Sequence, residues 1–142
     1  MTHNLLLAVI VAALSAGSCE KPSRPGPPKT GLQVNTVKEF AFEGGSFKDG
    51  RISVAPDTKV QPGPGKNSVV LMRPNGNGTT VNCFCVLEGG DCWAVSNDIP
   101  GGGVGLGCAS QNCASGEEPF CFMDIADQAA GFNIRLAVAG RR

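Results

Sequence analysis

Residues 68–87 read SVVLMRPNGNGTTVNCFCVL, two β-rich runs about a run of turn formers. Ser68–Met72 is a short, continuous, β-branched apolar run of the kind that forms a buried strand. Arg73–Gly78, RPNGNG, is dense in residues that turn a chain, and Thr79–Leu87, TTVNCFCVL, is again rich in β-formers. Two such runs around Asn-Gly turns predict an antiparallel hairpin.

The pattern repeats outward from this hairpin. Val37–Phe42, VKEFAF, places Phe40 and Phe42 on one strand face, and Arg51–Ala55, RISVA, is a second short run. Cys92–Val95, Phe120–Ile125 and Phe132–Val138 also read as strands, the last alternating apolar and polar residues. Only Asp124–Ala130 hints at a helical turn, closed by Gly131. Short strands separated by Gly, Pro and Asn turns predict a mainly β domain over residues 32–142, a small antiparallel β-sandwich or barrel.

Six of the seven cysteines fall in the C-terminal half of that domain: Cys83, Cys85, Cys92, Cys108, Cys113 and Cys121. Their spacings are C-x-C, x6, x15, C-x4-C and x7. Zinc modules usually carry two C-x2–4-C pairs, and here only Cys108/Cys113 has that spacing; the ferredoxin pattern fails, and no C-x-x-C redox pair occurs. Three disulfides are the expectation. Cys83 and Cys85 stand two apart on one strand, so they share a face, and a bond between them would close a strained ring. Each is expected to pair elsewhere. That leaves twelve of the fifteen connectivities open. Glu88–Asp91, EGGD, is a turn that would bring Cys92 back toward the strand. Phe84, Phe120 and Phe122 alternate with Cys85 and Cys121, which puts aromatics on one sheet face and sulfurs on the other.

The seventh cysteine, Cys19, follows an export signal. Leu5–Ala16, LLLAVIVAALSA, is apolar but for Ser15. As a helix it spans roughly 18 Å, short of a ~30 Å hydrocarbon core but within the range of a secretory h-region. Ala16, Gly17 and Ser18 then set a cleavage site, making residues 1–18 the signal and Cys19 the first mature residue. This arrangement resembles a bacterial lipoprotein signal, although Ala16 stands where that pattern favours Leu. The resemblance implies that Cys19 is acylated and tethers the chain to a membrane. It also accounts for an odd cysteine count. Glu20–Gly31, EKPSRPGPPKTG, carries four prolines in twelve residues and reads as a semi-rigid spacer, so residues 19–31 form a proline-rich tether.

Composition excludes several chemistries. Twelve basic residues balance twelve acidic ones, so no charge excess exists for nucleic acid. The single His is His3, inside the expected signal, and there is no Tyr. A mature chain without imidazole lacks the base of Ser-His and Cys-His catalysis and the commonest zinc ligand. Gly101–Gly107, GGGVGLG, matches no dinucleotide or phosphate loop and reads as a turning loop between anchored segments. Acid pairs exist at Glu88/Asp91, Glu117/Glu118 and Asp124/Asp127, the last sharing a helical face if that turn forms. Twelve acids on so short a chain make such pairs by chance. No catalytic residue, cofactor or metal is expected. Asn77-Gly78-Thr79 spells a glycosylation sequon.

Trp93 directly follows Cys92 and is expected in the core, packed on a disulfide. Were it exposed, it would be an aromatic platform for a sugar or protein. With Gly101, Gly102 and Gly103 it marks the candidate binding surface. The leading expectation is an exported, lipid-anchored, non-enzymatic envelope module with a binding or structural role. The alternatives are a freely secreted effector or inhibitor that contacts a protein target through Ser96–Ser115, and a Cys-based redox or metal protein.

Overall fold

The computed structural model describes residues 34–35, 37–115 and 118–140. The expected signal, Cys19, the tether, Glu117 and the Arg141-Arg142 end lie outside the described residues. Those described fold into β-strands, with no helix among them.

The chain runs through β1 (Val34–Asn35), β2 (Glu39–Phe42), β3 (Gly45–Lys48), β4 (Arg51–Val54), β5 (Lys59–Pro62) and β6 (Ser68–Met72). It continues through β7 (Gly78–Phe84), β8 (Asp91–Asp98), β9 (Val104–Gln111), β10 (Ala114–Ser115), β11 (Glu118–Asp127) and β12 (Phe132–Ala139). One sheet has the order β1-β12-β11-β7-β6-β5, with β10 paired to β11. The other has the order β2-β3-β4-β9-β8. All neighbours are antiparallel except β1 and β12. The two sheets pack as a β-sandwich.

The β6–β7 hairpin forms as the sequence predicts, with Ser68 opposite Asn82 and Met72 opposite Gly78. Its turn closes through Arg73 N–H donating to the Asn77 carbonyl at 2.9 Å, and Gly76 takes a φ of 84° that favours glycine. Beyond Phe84 the chain leaves the ladder, so β7 ends three residues earlier than expected.

Burial follows the two-residue period. Thr79, Val81 and Cys83 of β7 point inward, as do Cys121, Met123, Ile125 and Asp127 of β11. Phe40, Phe47, Ile52 and Leu106 close the core from the other sheet. Each such side chain contributes about 1.5–3 kcal/mol on leaving water.

Two features tie the sheets at opposite ends. Cys83–Cys108 and Cys92–Cys121 cross between the sheets at one end. At the other end Arg73, which follows β6, is buried against Asp127 with Nη1 and Oδ2 at 2.5 Å. Nη1 also faces the Thr79 hydroxyl and the Glu43 carbonyl of the β2–β3 turn, each at 3.0 Å. Thr79 donates to Asp127 Oδ2 at 2.9 Å, and Ala130 N–H donates to Oδ1 at 2.9 Å. Burial alone would raise the Asp127 pKa. Arg73, the Ala130 N–H and the Thr79 hydroxyl together hold it below the ordinary value. The Asp127 carboxylate in turn raises the Arg73 pKa.

The structure corrects three expectations of local form. Asp124–Ala130 makes no helical turn: β11 runs through Asp127, and Gln128–Gly131 is a tight turn into β12. Asp124 and Asp127 therefore lie on opposite sheet faces, because three residues on a strand reverse the side chain. Gly101–Gly107 is not a loop throughout, since only Gly101–Gly103 turn and residues from Val104 onward are strand β9.

Candidate binding surface

The six cysteines pair as Cys83–Cys108, Cys85–Cys113 and Cys92–Cys121. Cys83 and Cys85 share a face and each bonds elsewhere, as their spacing requires. The geometry follows from alternation. Cys83 on β7 and Cys108 on β9 both point into the sandwich from facing sheets, with Cα atoms 5.8 Å apart. Cys92 on β8 and Cys121 on β11 do the same at 6.0 Å. The turn at Leu87–Gly90 brings Cys92 back, so the sulfurs of Cys85, Cys92 and Cys113 lie within 4.8 Å of one another. That spacing would suit a soft metal, but all three sulfurs are committed to disulfide bonds.

The aromatics take the other face of β7 and β11, as expected. Phe84 stacks on Phe122 at 5.7 Å between ring centroids, and Phe120 meets Phe122 edge-on at 5.5 Å. Arg135 lies over the Phe84 ring at 4.6 Å and grips Asp124 with two hydrogen bonds of 2.7 Å. Asp124 raises the Arg135 pKa, outweighing the cost of partial burial. The loop after β7 exposes Val86 and Leu87.

Trp93 is not a core residue packed on a disulfide. Cys92 points inward, so its neighbour must point outward, and Trp93 sits half-buried on the outer face of the second sheet. Val95 and Asn97 follow it on that face. Opposite them on β9 stand Ala109, Gly107 and Gly105. Small residues on β9 leave a trough between β8 and β4. The result is a groove of about 380 Å³ lined by Val95, Ile99 and Pro100 on one side and Arg51 and Ser53 on the other, with Gly105 and Gly107 between.

The two floor glycines differ. A Cβ on Gly105 would press on Ile99 at 3.3 Å, so Ile99 packs down onto that glycine. A Cβ on Gly107 would meet nothing within 4 Å, and its backbone needs no positive φ. Gly107 thus has no packing or backbone reason to be glycine, and a bare strand position marks a place where another molecule can approach. Gly101, Gly102 and Gly103 have φ values of 94°, 99° and 108°, and they form the exposed turn at one end of the groove.

No protein-family model, curated protein or solved structure matches this chain.

Of the candidate surface residues, Gly101–Gly103 adjoin the groove through Pro100, while Trp93 stands on the same sheet face two residues before Val95. The expected contact loop Ser96–Ser115 is mostly a β8–β9 hairpin, rigid rather than irregular. Glu88 and Asp91 do not act as a pair: Asp91 accepts from Lys66 at 3.3 Å and Asn67 at 3.2 Å. Sequence reading missed Gly107 and the Arg73–Asp127 contact. The first was detectable as alternation through Val104, Leu106, Cys108 and Ser110. The second joins residues 54 apart and left no local signal.

Proposed function

We propose that this protein is an exported, non-enzymatic binding module, held at a membrane through acylated Cys19 and presenting the β8–β9 hairpin to a partner. The observation that carries the reading is the set of three disulfides with their sulfurs between or beside the two sheets. Disulfides of this kind persist in oxidising compartments, which agrees with the apolar segment and small residues ahead of Cys19. A chain whose only His lies before Cys19 suits binding better than acid–base catalysis. The groove over Gly107 and the Gly101–Gly103 turn supply a rigid surface for that binding.

Intact mass of the mature protein, taken separately from membranes and from detergent-free medium, tests this. The expected species starts at Cys19, carries acyl mass, and shows the six-hydrogen deficit of three disulfides. An unmodified Cys19 on protein recovered from the medium would replace the anchor with free secretion. Free thiols among the other six cysteines would overturn export itself.

A further inference from the structure

β8 is an outer strand of its sheet, with β9 on one side and no strand on the other among the described residues. Proteins guard such edges with short strands, lysines and prolines. The other three edges have these guards. β1 is two residues long, β2 is four, and β5 is four with Lys59 and Pro62. β8 is eight residues long, DCWAVSND, without Lys, Arg or Pro, and its charges stand only at Asp91 and Asp98.

The hairpin register shows which backbone groups are open. Ile99 N–H donates to the Gly103 carbonyl at 3.0 Å, so that pair is hydrogen-bonded. Counting back by two, Asn97–Gly105, Val95–Gly107 and Trp93–Ala109 are the hydrogen-bonded pairs of β8 with β9. The N–H and C=O groups of Ala94, Ser96 and Asp98 therefore point away from β9. Beside them lies a cleft of about 690 Å³, lined by Thr58, Lys59 and Val60 from the facing sheet and by Ser96, Asn97 and Asp98. Five residues of strand at sheet spacing, about 3.4 Å along, 4.8 Å across and 10 Å deep, occupy roughly 800 Å³. The cleft supplies most of that volume, and the remainder of an added strand would stand in solvent at the open edge.

We propose that the Ala94–Asp98 edge of β8 docks an extended segment of a partner protein, which adds as a sixth strand to this sheet. Unpaired edge groups recognise extended backbone and little else. Side chains on one face of the added strand meet Thr58 and Ser96, and those on the other continue the face of Val95 and Asn97. Lys59 and Asp98 put one charge of each sign on the cleft, so the segment has no net charge and alternates hydroxyl with β-branched residues. Five residues of edge fall far short of the roughly 1,200 Å² of a stable interface between folded proteins, which disfavours a second copy of this chain. The proposal rests on the binding-module reading and names its partner class.

The test titrates the capped peptide Thr-Val-Thr-Val-Thr-Val-Thr into the ¹⁵N-labelled, oxidised full chain. Amide shifts and slowed hydrogen exchange centred on Ala94, Ser96 and Asp98 are expected. Ser96→Pro removes the central open N–H at a position where an edge strand tolerates proline. It should weaken binding at least tenfold, and Ser96→Ala should not. If the proline variant misfolds, Ser96→Lys, which installs the missing edge guard, replaces it. Absent shifts, shifts centred elsewhere, or unchanged binding by the guarded variants would overturn the proposal. So would concentration-dependent dimers abolished by those variants, which would make a second copy the occupant. Failed peptide binding alongside an acylated, oxidised mature mass refutes the edge site alone. Binding alongside an unacylated mass refutes the anchor alone.

Discussion

Replacing Asp127 with Asn keeps the shape of the side chain and removes its charge from a site with no exposed side-chain surface. Arg73, whose side chain is 3% exposed, is left with the Glu43 carbonyl, the Thr79 hydroxyl and the Glu43 carboxylate at 3.7 Å. Removing one partner of a buried pair costs about 3–5 kcal/mol, because the remaining charge stays buried. Domain stabilities run about 5–15 kcal/mol, so this one atom exchange removes a large part of the total. Urea unfolding at pH 7 with disulfides intact measures it. With m near 2 kcal/mol/M the midpoint should fall by about 2 M.

The pH dependence fixes the cause. The folded pKa of Asp127 is lowered, so its ionic contribution is complete above the unfolded value near 3.9 and is lost as pH falls through the folded value. The gap between wild type and Asp127→Asn should therefore be full at pH 7 and close progressively below pH 4. Other carboxylates titrate in both proteins and cancel in the difference. The double variant Arg73→Met/Asp127→Leu should lose less than Asp127→Asn alone, since it leaves no unpaired charge. A cost under about 1 kcal/mol at pH 7, or a gap that persists undiminished at pH 2, would refute the role assigned to this pair.

Cys83→Ala/Cys108→Ala opens a cross-link between residues 25 apart. The chain-entropy relation gives a loss of about 3.5 kcal/mol, read in the same urea experiment, and a loss below about 1 kcal/mol would show that the sheets hold without it. Gly107→Val places a β-branched side chain in open space and should be neutral or stabilising by about 0.5–1 kcal/mol while filling the groove. Gly103→Val, at a φ of 108°, should instead cost about 1–3 kcal/mol. Equal thermal shifts for the two variants would contradict the distinction drawn between floor and turn. Arg135→Gln breaks the double hydrogen bond to Asp124 and the contact over Phe84 on a partly exposed face. A thermal melt should report about 0.5–1.5 kcal/mol, and no shift would mean solvent screens the pair completely.

What the sequence revealed depended on whether a strand shows its period in side chains. The β6–β7 hairpin and β12 do, and their strand character was legible. β9 has the same period: Val104, Leu106, Cys108 and Ser110 face inward and Gly105, Gly107 and Ala109 outward. Three glycines before Val104 and two within the strand disguised it as loop, because glycine signals a turn whenever nothing long-range contradicts it. Here β4 and β8 pair with it from both sides and override that signal. A different error displaced Trp93. Placing it on a disulfide ignored that adjacent strand residues point to opposite faces, so an inward Cys92 forces an outward Trp93. Once β8 and β9 are recognised as a hairpin, its bare floor at Gly107 and its open edge at Ala94–Asp98 become two sides of one exposed element. Only the edge has unpaired backbone groups that can bind an extended chain. Gly107→Val and Ser96→Pro therefore separate the groove from the edge. A partner held by the edge tolerates Gly107→Val and loses Ser96→Pro, and a partner seated in the groove does the reverse.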